Sequence, residues 1–352
     1  MEIGVITNPN SRKNKGRPDR ARSLQRIVGQ LGEVHETTSP EAIKPVLRDF
    51  LRRDVRYWVS DGGDGALHWM LRFGLEVLDE DEFRNATIPL ALPTNGGTID
   101  FVAKNVGIRG NAEAILEVLR AKLARGEHPE VVDVQSMLVD AIQVEDDGSE
   151  SRFRTIGFAA AVGGIGQRFF AKYYEANDPR PSEIVRVVAK TVASYPVASS
   201  PLRHLPGMPE TLRSYANEVF KPTHCRCTLD GRQLEHTRMT GIHVASMSIN
   251  LGGVMSFFRE ADVPGQLHAI VGAPPPWQII RNLPRMYAGR PLKGDMYDGA
   301  AKDLIVEALG DEELLAPVID GENYRNIKKI SFKLGPTFRI AKVDAKSSKL
   351  AN

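Results

Sequence analysis

Two cysteines in 352 residues are too few for a disulfide framework. No stretch approaches the roughly 18 consecutive apolar residues that a membrane span needs. The opening MEIGVITNPN has no basic segment ahead of a long apolar run, so no secretory signal is read there and the expected compartment is cytoplasmic. A basic excess is missing too, since 46 Lys and Arg stand against 44 Asp and Glu for a net charge of +2. That balance argues against wholesale nucleic-acid binding, which rests on a surplus of cations. Neither an internal repeat nor a low-complexity segment occurs. What remains is ordinary globular composition, 42% hydrophobic and 26% charged, in a chain long enough for one large core or two.

The first third alternates two periods. Residues 3–7 (IGVIT) read as a buried strand, and Leu24, Ile27, Val28 and Leu31 then recur on one face of a helix. Residues 57–60 (YWVS) are a second buried run, followed by Leu67, Met70, Leu71 and Leu75 at helical spacing. Residues 87–92 (TIPLAL) are a further strand, and a helix runs from an Asn111 cap through Ile115, Leu116, Leu119 and Leu123 to Gly126. Such alternation implies an α/β fold: an open, mainly parallel sheet with helices on both faces. Beyond Pro129 the pattern turns to period two, with hairpin signals at Asp146-Asp147-Gly148-Ser149 and Asp230-Gly231, and the same style in LLAPVIDGENYRNIKKISFKLG. The expected division is a first domain over 1–130, rejoined by 336–352, and a β-rich, sandwich-like domain over 131–335. A helical insert at about 167–220 interrupts the second, and a cleft between the two is the simplest arrangement.

Three strand ends carry unusual turns. SDGGDGALHWM (60–70) packs three glycines and two aspartates between a strand and a helix. Amide N–H groups at a helix start lack partners and sit at the positive end of the dipole. Gly62, Gly63 and Gly65 would let a phosphate approach that backbone. No Gly-Lys-Ser/Thr follows, and His68 occupies the third glycine position of a dinucleotide fingerprint, so neither of those motifs fits. A ligand-free turn would need only one glycine and a cap. NPNSRKNKG (8–16) follows the first strand with Asn8, Asn10 and Ser11 as phosphate donors and Arg12, Lys13 and Lys15 as cations. LPTNGGTIDFVAKN (92–105) adds Gly96, Gly97, the Thr98 hydroxyl and the Asp100 carboxylate. In open α/β sheets, ligands sit at the carboxyl ends of the strands.

In this order and spacing, NPNS, GGDGA and GGTID resemble the catalytic domain of the diacylglycerol kinase and sphingosine kinase family, and the late VIDGENY resembles its Asp-Gly-Glu turn. The resemblance covers most of the chain and is specific in the first 130 or so residues. Phosphofructokinases and NAD kinases share a similar Gly-Gly-Asp-Gly turn. What the resemblance implies is ATP-dependent phosphorylation of a lipid hydroxyl with Mg²⁺. The turn from Asp61 through Gly62, Gly63 and Gly65 would hold ATP, with Asn8, Asn10, Thr38, Gly97 and Thr98 assisting. Asp64 and Asp100 would act through Mg²⁺ or on the transferring group, and Glu322 would be the general base. A kinase of a soluble alcohol and a non-catalytic nucleotide-binding relative are the alternatives. Departures from the family pattern are Ala66 for a threonine, Trp69 for a glutamate, a GTID one residue short, Arg12 for a glycine, and Pro264 in ADVPGQL where a structural Mg²⁺ site would lie.

Two further segments stand out. HCRC (224–227) would place two thiols on one strand face, which suits core packing better than a metal, as no second ligand pair is spaced for it. Residues 272–294 mix Trp277, Ile279, Ile280 and Leu283 with Arg281, Arg285, Arg290 and Lys293. That composition suits peripheral contact with an anionic membrane, or equally a helix packed on the second domain with solvated arginines. Pairing with a second copy of the chain is compatible with all of these features.

Overall fold

A computed structural model describes residues 1–176, 180–251, 255–310 and 313–347. Residues 177–179 of the expected insert and 348–352 of the expected C-terminal return lie outside the described residues. The chain forms two compact units, Met1–Val134 with Thr337–Asn352, and Gln135–Pro336.

The first unit runs β1 (Ile3–Thr7), α1 (Arg20–Val28), β2 (Gly32–Glu36), α2 (Ile43–Arg52), β3 (Tyr57–Asp61), α3 (Asp64–Leu78), β4 (Leu90–Pro93), α4 (Phe101–Val106) and α5 (Ala112–Ala124). Its strands are parallel in the order β2-β1-β3-β4. Every residue of β1 and β3 is buried, as expected of strands covered on both faces. The covering helices pack in pairs, α1 with α5 and α2 with α3. They turn Leu24 and Val28, Leu47 and Phe50, Met70 and Leu71, and Ile115 and Leu119 inward at helical spacing. The strand expected from residue 87 begins only at Leu90, because Pro89 has no N–H to give to a ladder. From β1 the chain goes to β2 on one side and returns to β3 on the other. The sheet order therefore reverses between β1 and β3, which is where such sheets open a ligand crevice.

The second unit continues with β5 (Glu130–Val144, which begins in the first unit), β6 (Glu150–Gly157), β7 (Ala159–Gly164), α6 (Ile165–Tyr174), α7 (Pro181–Ala198), α8 (Glu210–Arg213), α9 (Tyr215–Val219) and β8 (Thr223–Leu229). Then come β9 (Arg232–Gln233), β10 (Arg238–Met239), β11 (Gly241–Ala245), β12 (Ile249–Leu251), β13 (Met255–Phe257), β14 (Leu267–Gly272), α10 (Pro276–Tyr287) and β15 (Met296–Ala301). Last are β16 (Asp303–Ala308), β17 (Val318–Ile319), β18 (Glu322–Asn323) and β19 (Ile327–Lys342), whose end lies in the first unit. One antiparallel sheet has the order β15-β14-β11-β7-β17-β18. In a second, β16 lies between β8 and the start of β19, and β5 pairs with β6. Val162, Val244 and Ala269 of the first sheet share one core with Cys227, Val306 and Phe332 of the second, which makes this unit a sandwich. Helices α6, α7, α8 and α9 form the insert, with α7 and α9 packed on each other and on both of the others. Among the described residues no helix is long and apolar enough to cross a membrane.

On β8, buried Thr223, Cys225, Cys227 and Leu229 alternate with exposed His224 and Arg226. The two thiols are 3.8 Å apart and belong to the core. Their mutual hydrogen bond, with burial, raises the Cys227 thiol far above its ordinary value, the opposite of what a metal ligand needs.

Candidate active site

The loops after β3 and β4 are laced together by their own backbones. The parallel ladder extends past the strands through Thr94 N–H to Ser60 O and Gly96 N–H to Gly62 O, both at 3.0 Å. A β-carbon on Gly63 would stand 2.8 Å from the Gly97 Cα, and one on Gly96 would stand 2.6 Å from the Gly62 carbonyl oxygen. The missing side chains therefore first let two loops touch. At Gly62 a β-carbon would also meet Ala66 and stand 2.9 Å from the Ser11 hydroxyl, so the loop after β1 packs on the same turn. Lys13 N–H closes the set on Gly96 O at 3.1 Å.

Helix α3 starts in this lacing. Its N-cap is Gly63, which offers no side-chain acceptor to the first amides. Over 15 residues the helix has a full dipole, and its positive end faces the reversal point of the sheet. An anion held there would supply what the cap lacks.

Asp61 takes a different place from the one expected. Its carboxylate is fully buried and accepts from Thr7 Oγ1 at 2.7 Å, Asn14 Nδ2 at 3.1 Å and Thr94 Oγ1 at 3.2 Å. Arg20 grips it with Nε at 3.0 Å and Nη2 at 2.8 Å. Arg20 is itself buried and bonds Glu113, which also takes Arg17 at 3.1 Å. With its oxygens committed inside, Asp61 positions the loops after β1, β3 and β4 and does not reach a ligand. Asn14 also donates to the Asn8 and Asp61 carbonyls, both at 3.0 Å. Asn8 in turn accepts Asn10 N–H on its side chain at 2.9 Å, shaping the NPNS loop.

Asp64 and Asp100 are partly engaged. Asp64 accepts the first amides of α4, Phe101 N–H at 3.1 Å and Val102 N–H at 3.2 Å, so a residue of α3 caps a second helix. Asp100 precedes α4 with φ +51° and accepts Gly97 N–H at 2.8 Å, while Lys13 Nζ lies 3.6 Å from its other oxygen. Burial raises the Asp100 carboxyl above its ordinary value, against the pull of Lys13 and the Gly97 amide. Lys13 also donates to the Asn95 carbonyl. Thr98 is half-buried in this loop, and Thr38 is exposed just past β2, beside buried Thr37, whose N–H meets the Thr7 carbonyl at 3.0 Å.

These residues fit a polyphosphate: an uncapped helix start, half-buried backbone at Gly63, Gly65 and Gly97, and the exposed cation of Lys13. Among the described residues no three His, Cys, Asp or Glu side chains gather as a metal cage. Mg²⁺ does not require one, since it is commonly held by one or two carboxylates together with substrate phosphates. Asp64 and Asp100 are the carboxylates on hand.

Glu322 lies in the second unit. Asp320 (φ +51°) and Gly321 (φ +90°) form a two-residue hairpin turn between β17 and β18, with Ile319 opposite Glu322. Asp320 is buried and accepts Phe158 N–H and Ala159 N–H, each at 2.9 Å. Tyr174 of α6 donates to the Gly321 carbonyl at 3.4 Å. The turn is thus an Asp-Gly hairpin whose aspartate is an anchor, and it holds half-buried Glu322 at a fixed place on β18.

Residues 2–132 match the diacylglycerol kinase catalytic domain. The match takes in the first unit from β1 through α5. No curated protein matches the sequence. A solved structure of a diacylglycerol kinase from Bacillus anthracis strain Sterne shares 14% identity, covers 97% of this chain and 96% of its own, and superposes with a TM-score of 0.55. Another from that strain, assigned as a diacylglycerol kinase, shares 16% identity over 97% and 96% of the two chains, with a TM-score of 0.59. At these identities the likeness is one of fold, and it extends through both units. The matched residues contain all three laced loops and the buried Asp61–Arg20 pair. Sequence reading missed Thr7, Asn14, Arg20, Thr94 and Glu113. Their signal is a contact, not a motif, since Arg20 and Asp61 are 41 positions apart.

Proposed function

We propose that this protein is a kinase that transfers the γ-phosphoryl group of ATP to the hydroxyl of a lipid or lipid-like acceptor. The observation that carries the reading is the uncapped α3 N-terminus, laced to the loops after β1 and β4 at the point where the sheet order reverses. The amides at the start of α3 bind the triphosphate, with Asn8, Asn10, Thr38, Gly97 and Thr98 as further contacts and Lys13 as the nearby cation. Mg²⁺, when bound, neutralises phosphate charge, with Asp64 and Asp100 as its protein carboxylates. Glu322 takes the proton of the acceptor hydroxyl. The acceptor oxygen then bonds to the γ-phosphorus as the bond to the β–γ bridging oxygen breaks and ADP leaves. Phosphoryl transfer asks mostly for this positioning and charge balance, plus one carboxylate for the proton.

The engagement of both Asp64 and Asp100 by backbone amides favours a second reading, a nucleotide-binding protein that does not turn over. Incubation with labelled ATP and a total lipid extract, followed by mass analysis of new phosphomonoesters, decides. A labelled lipid supports the kinase. Calorimetric ATP binding with no product from lipids supports the second reading, and product only from water-soluble alcohols places the acceptor outside the lipids.

A further inference from the structure

Helix α10 presents an unusual surface. Ile279, Asn282 and Met286 are buried, while Trp277, Arg281, Pro284, Tyr287 and Ala288 line the opposite side at helical spacing. Trp277 is 50% exposed and Tyr287 70%, the latter the most exposed of the large apolar side chains among the described residues. The chain after the helix is clasped back onto it. Asn282 accepts Lys293 N–H at 3.0 Å and donates to the Lys293 carbonyl at 2.7 Å, and Arg290 N–H meets the Arg285 carbonyl at 2.8 Å. The clasp fixes the backbone at Arg290 and Lys293, and both of their side chains are exposed.

Charge on this segment is one-sided. Residues 273–294 contain Arg281, Arg285, Arg290 and Lys293 and not one Asp or Glu. Surface cations elsewhere are extensively paired, as in Arg48–Glu80, Arg52–Glu82 and Lys328–Glu150. Among the described residues none of these four has an acidic partner, and the next acid along, Asp295, is taken by His236 at 3.0 Å. Two interfacial aromatics flanked by unpaired cations complement one kind of surface: a bilayer with anionic headgroups, where aromatics sit at headgroup level and each cation adds attraction.

We infer that α10 and the clasped segment behind it dock this protein on an anionic membrane, with Trp277 and Tyr287 entering the headgroup layer and Arg281, Arg290 and Lys293 facing lipid phosphates. The inference deepens the lipid-acceptor reading and rests on it for what docking serves. Binding is measured without ATP, and catalysis on a short-chain acceptor dispersed without vesicles, so either reading can fail while the other stands.

The full-length protein is sedimented with vesicles of phosphatidylglycerol and phosphatidylcholine, and with vesicles of phosphatidylcholine alone. Expected are preferential binding to the anionic vesicles, weakening with salt, and a blue shift of tryptophan emission that disappears in Trp277→Phe. Arg281→Ser with Arg290→Ser should lower partitioning by about fivefold per cation removed. Trp277→Ala with Tyr287→Ala should lower it at least as far, with thermal unfolding unchanged because both rings are exposed. Equal binding to neutral and anionic vesicles overturns the proposal, as does unaltered binding in either double variant. So does capture by polyglutamate or an oligonucleotide that equals vesicle binding and ignores the aromatic variant, since that marks a general anion-binding or partner face.

Discussion

The Gly63 and Gly97 backbones touch. A β-carbon on either glycine would stand 2.8 or 2.6 Å from the other's Cα, so the turn after β3 and the turn after β4 have no room for a side chain at their crossing. Asp100 Oδ1 lies on the same contact, 2.8 Å from where a Gly97 β-carbon would be. The two turns act as a single rigid piece, and anything that separates them moves the start of α3.

Gly63→Ala and Gly97→Ala are each expected to destabilise the protein by about 1–3 kcal/mol, the usual range for overpacking. Both should abolish ATP binding in calorimetry. Gly148→Ala serves as the control: its φ is +81° with nothing within 4 Å. It should cost about 1–2 kcal/mol for the left-handed backbone and leave ATP affinity alone.

The Arg20–Asp61 pair has 5% and 0% side-chain exposure, which makes it a truly buried ion pair. Arg20→Met leaves Asp61 charged with only neutral donors, and a loss of about 3–5 kcal/mol is expected in urea unfolding. Asp61→Asn should cost less, because Glu113 still partners Arg20. The double variant should cost less than the sum of the singles, and strict additivity would show that the pair is not coupled.

If Glu322 takes the hydroxyl proton, Glu322→Gln should lower kcat by about 10²–10⁴-fold with ATP affinity unchanged. Asp320→Ala, by contrast, should act on stability. It strands the buried Phe158 amide and the half-buried Ala159 amide, at about 1–3 kcal/mol.

His243 on β11 gives the protein an acid-side slope. Burial depresses its imidazole from 6.5 to about 4, partly opposed by a backbone hydrogen bond with Ile270. Because the folded value lies below the unfolded one, the unfolded chain binds the extra proton between pH 4 and 6.5. The associated stability is fully present above that window and is lost as pH falls through it, on the order of 3 kcal/mol in total. His243→Gln should flatten the dependence of Tm on pH between 6.5 and 4, and an unchanged slope would assign it to other groups.

The architecture of the first unit was legible because its strands and helices have distinct periods: IGVIT and YWVS lie fully inside, and Asn111 caps α5 by accepting Ala114 N–H. The three turns were legible because glycine runs at strand ends are rare without a purpose. Their purpose was only half readable. Sequence suggests backbone bared for a ligand, whereas in the fold Gly62 and Gly63 are pressed on Gly96 and Gly97, a contact across more than thirty positions that no local pattern encodes. Asp61 and Asp64 look alike in SDGGDG, yet one ends in a buried knot and the other caps α4. A carboxylate's type is local, but its partners are tertiary.

The first unit takes its last pieces from the far end of the chain. Ile340 of β19 lies parallel to Ala91 of β4, and Arg109 exchanges backbone bonds with Val343 and Ala345. During synthesis, a ribosome that has already delivered the three laced turns still withholds the strand that flanks β4. The first unit must therefore wait, with β4 as an open edge, until the whole sandwich has been translated, and a stop codon before residue 337 would leave that edge unguarded for good.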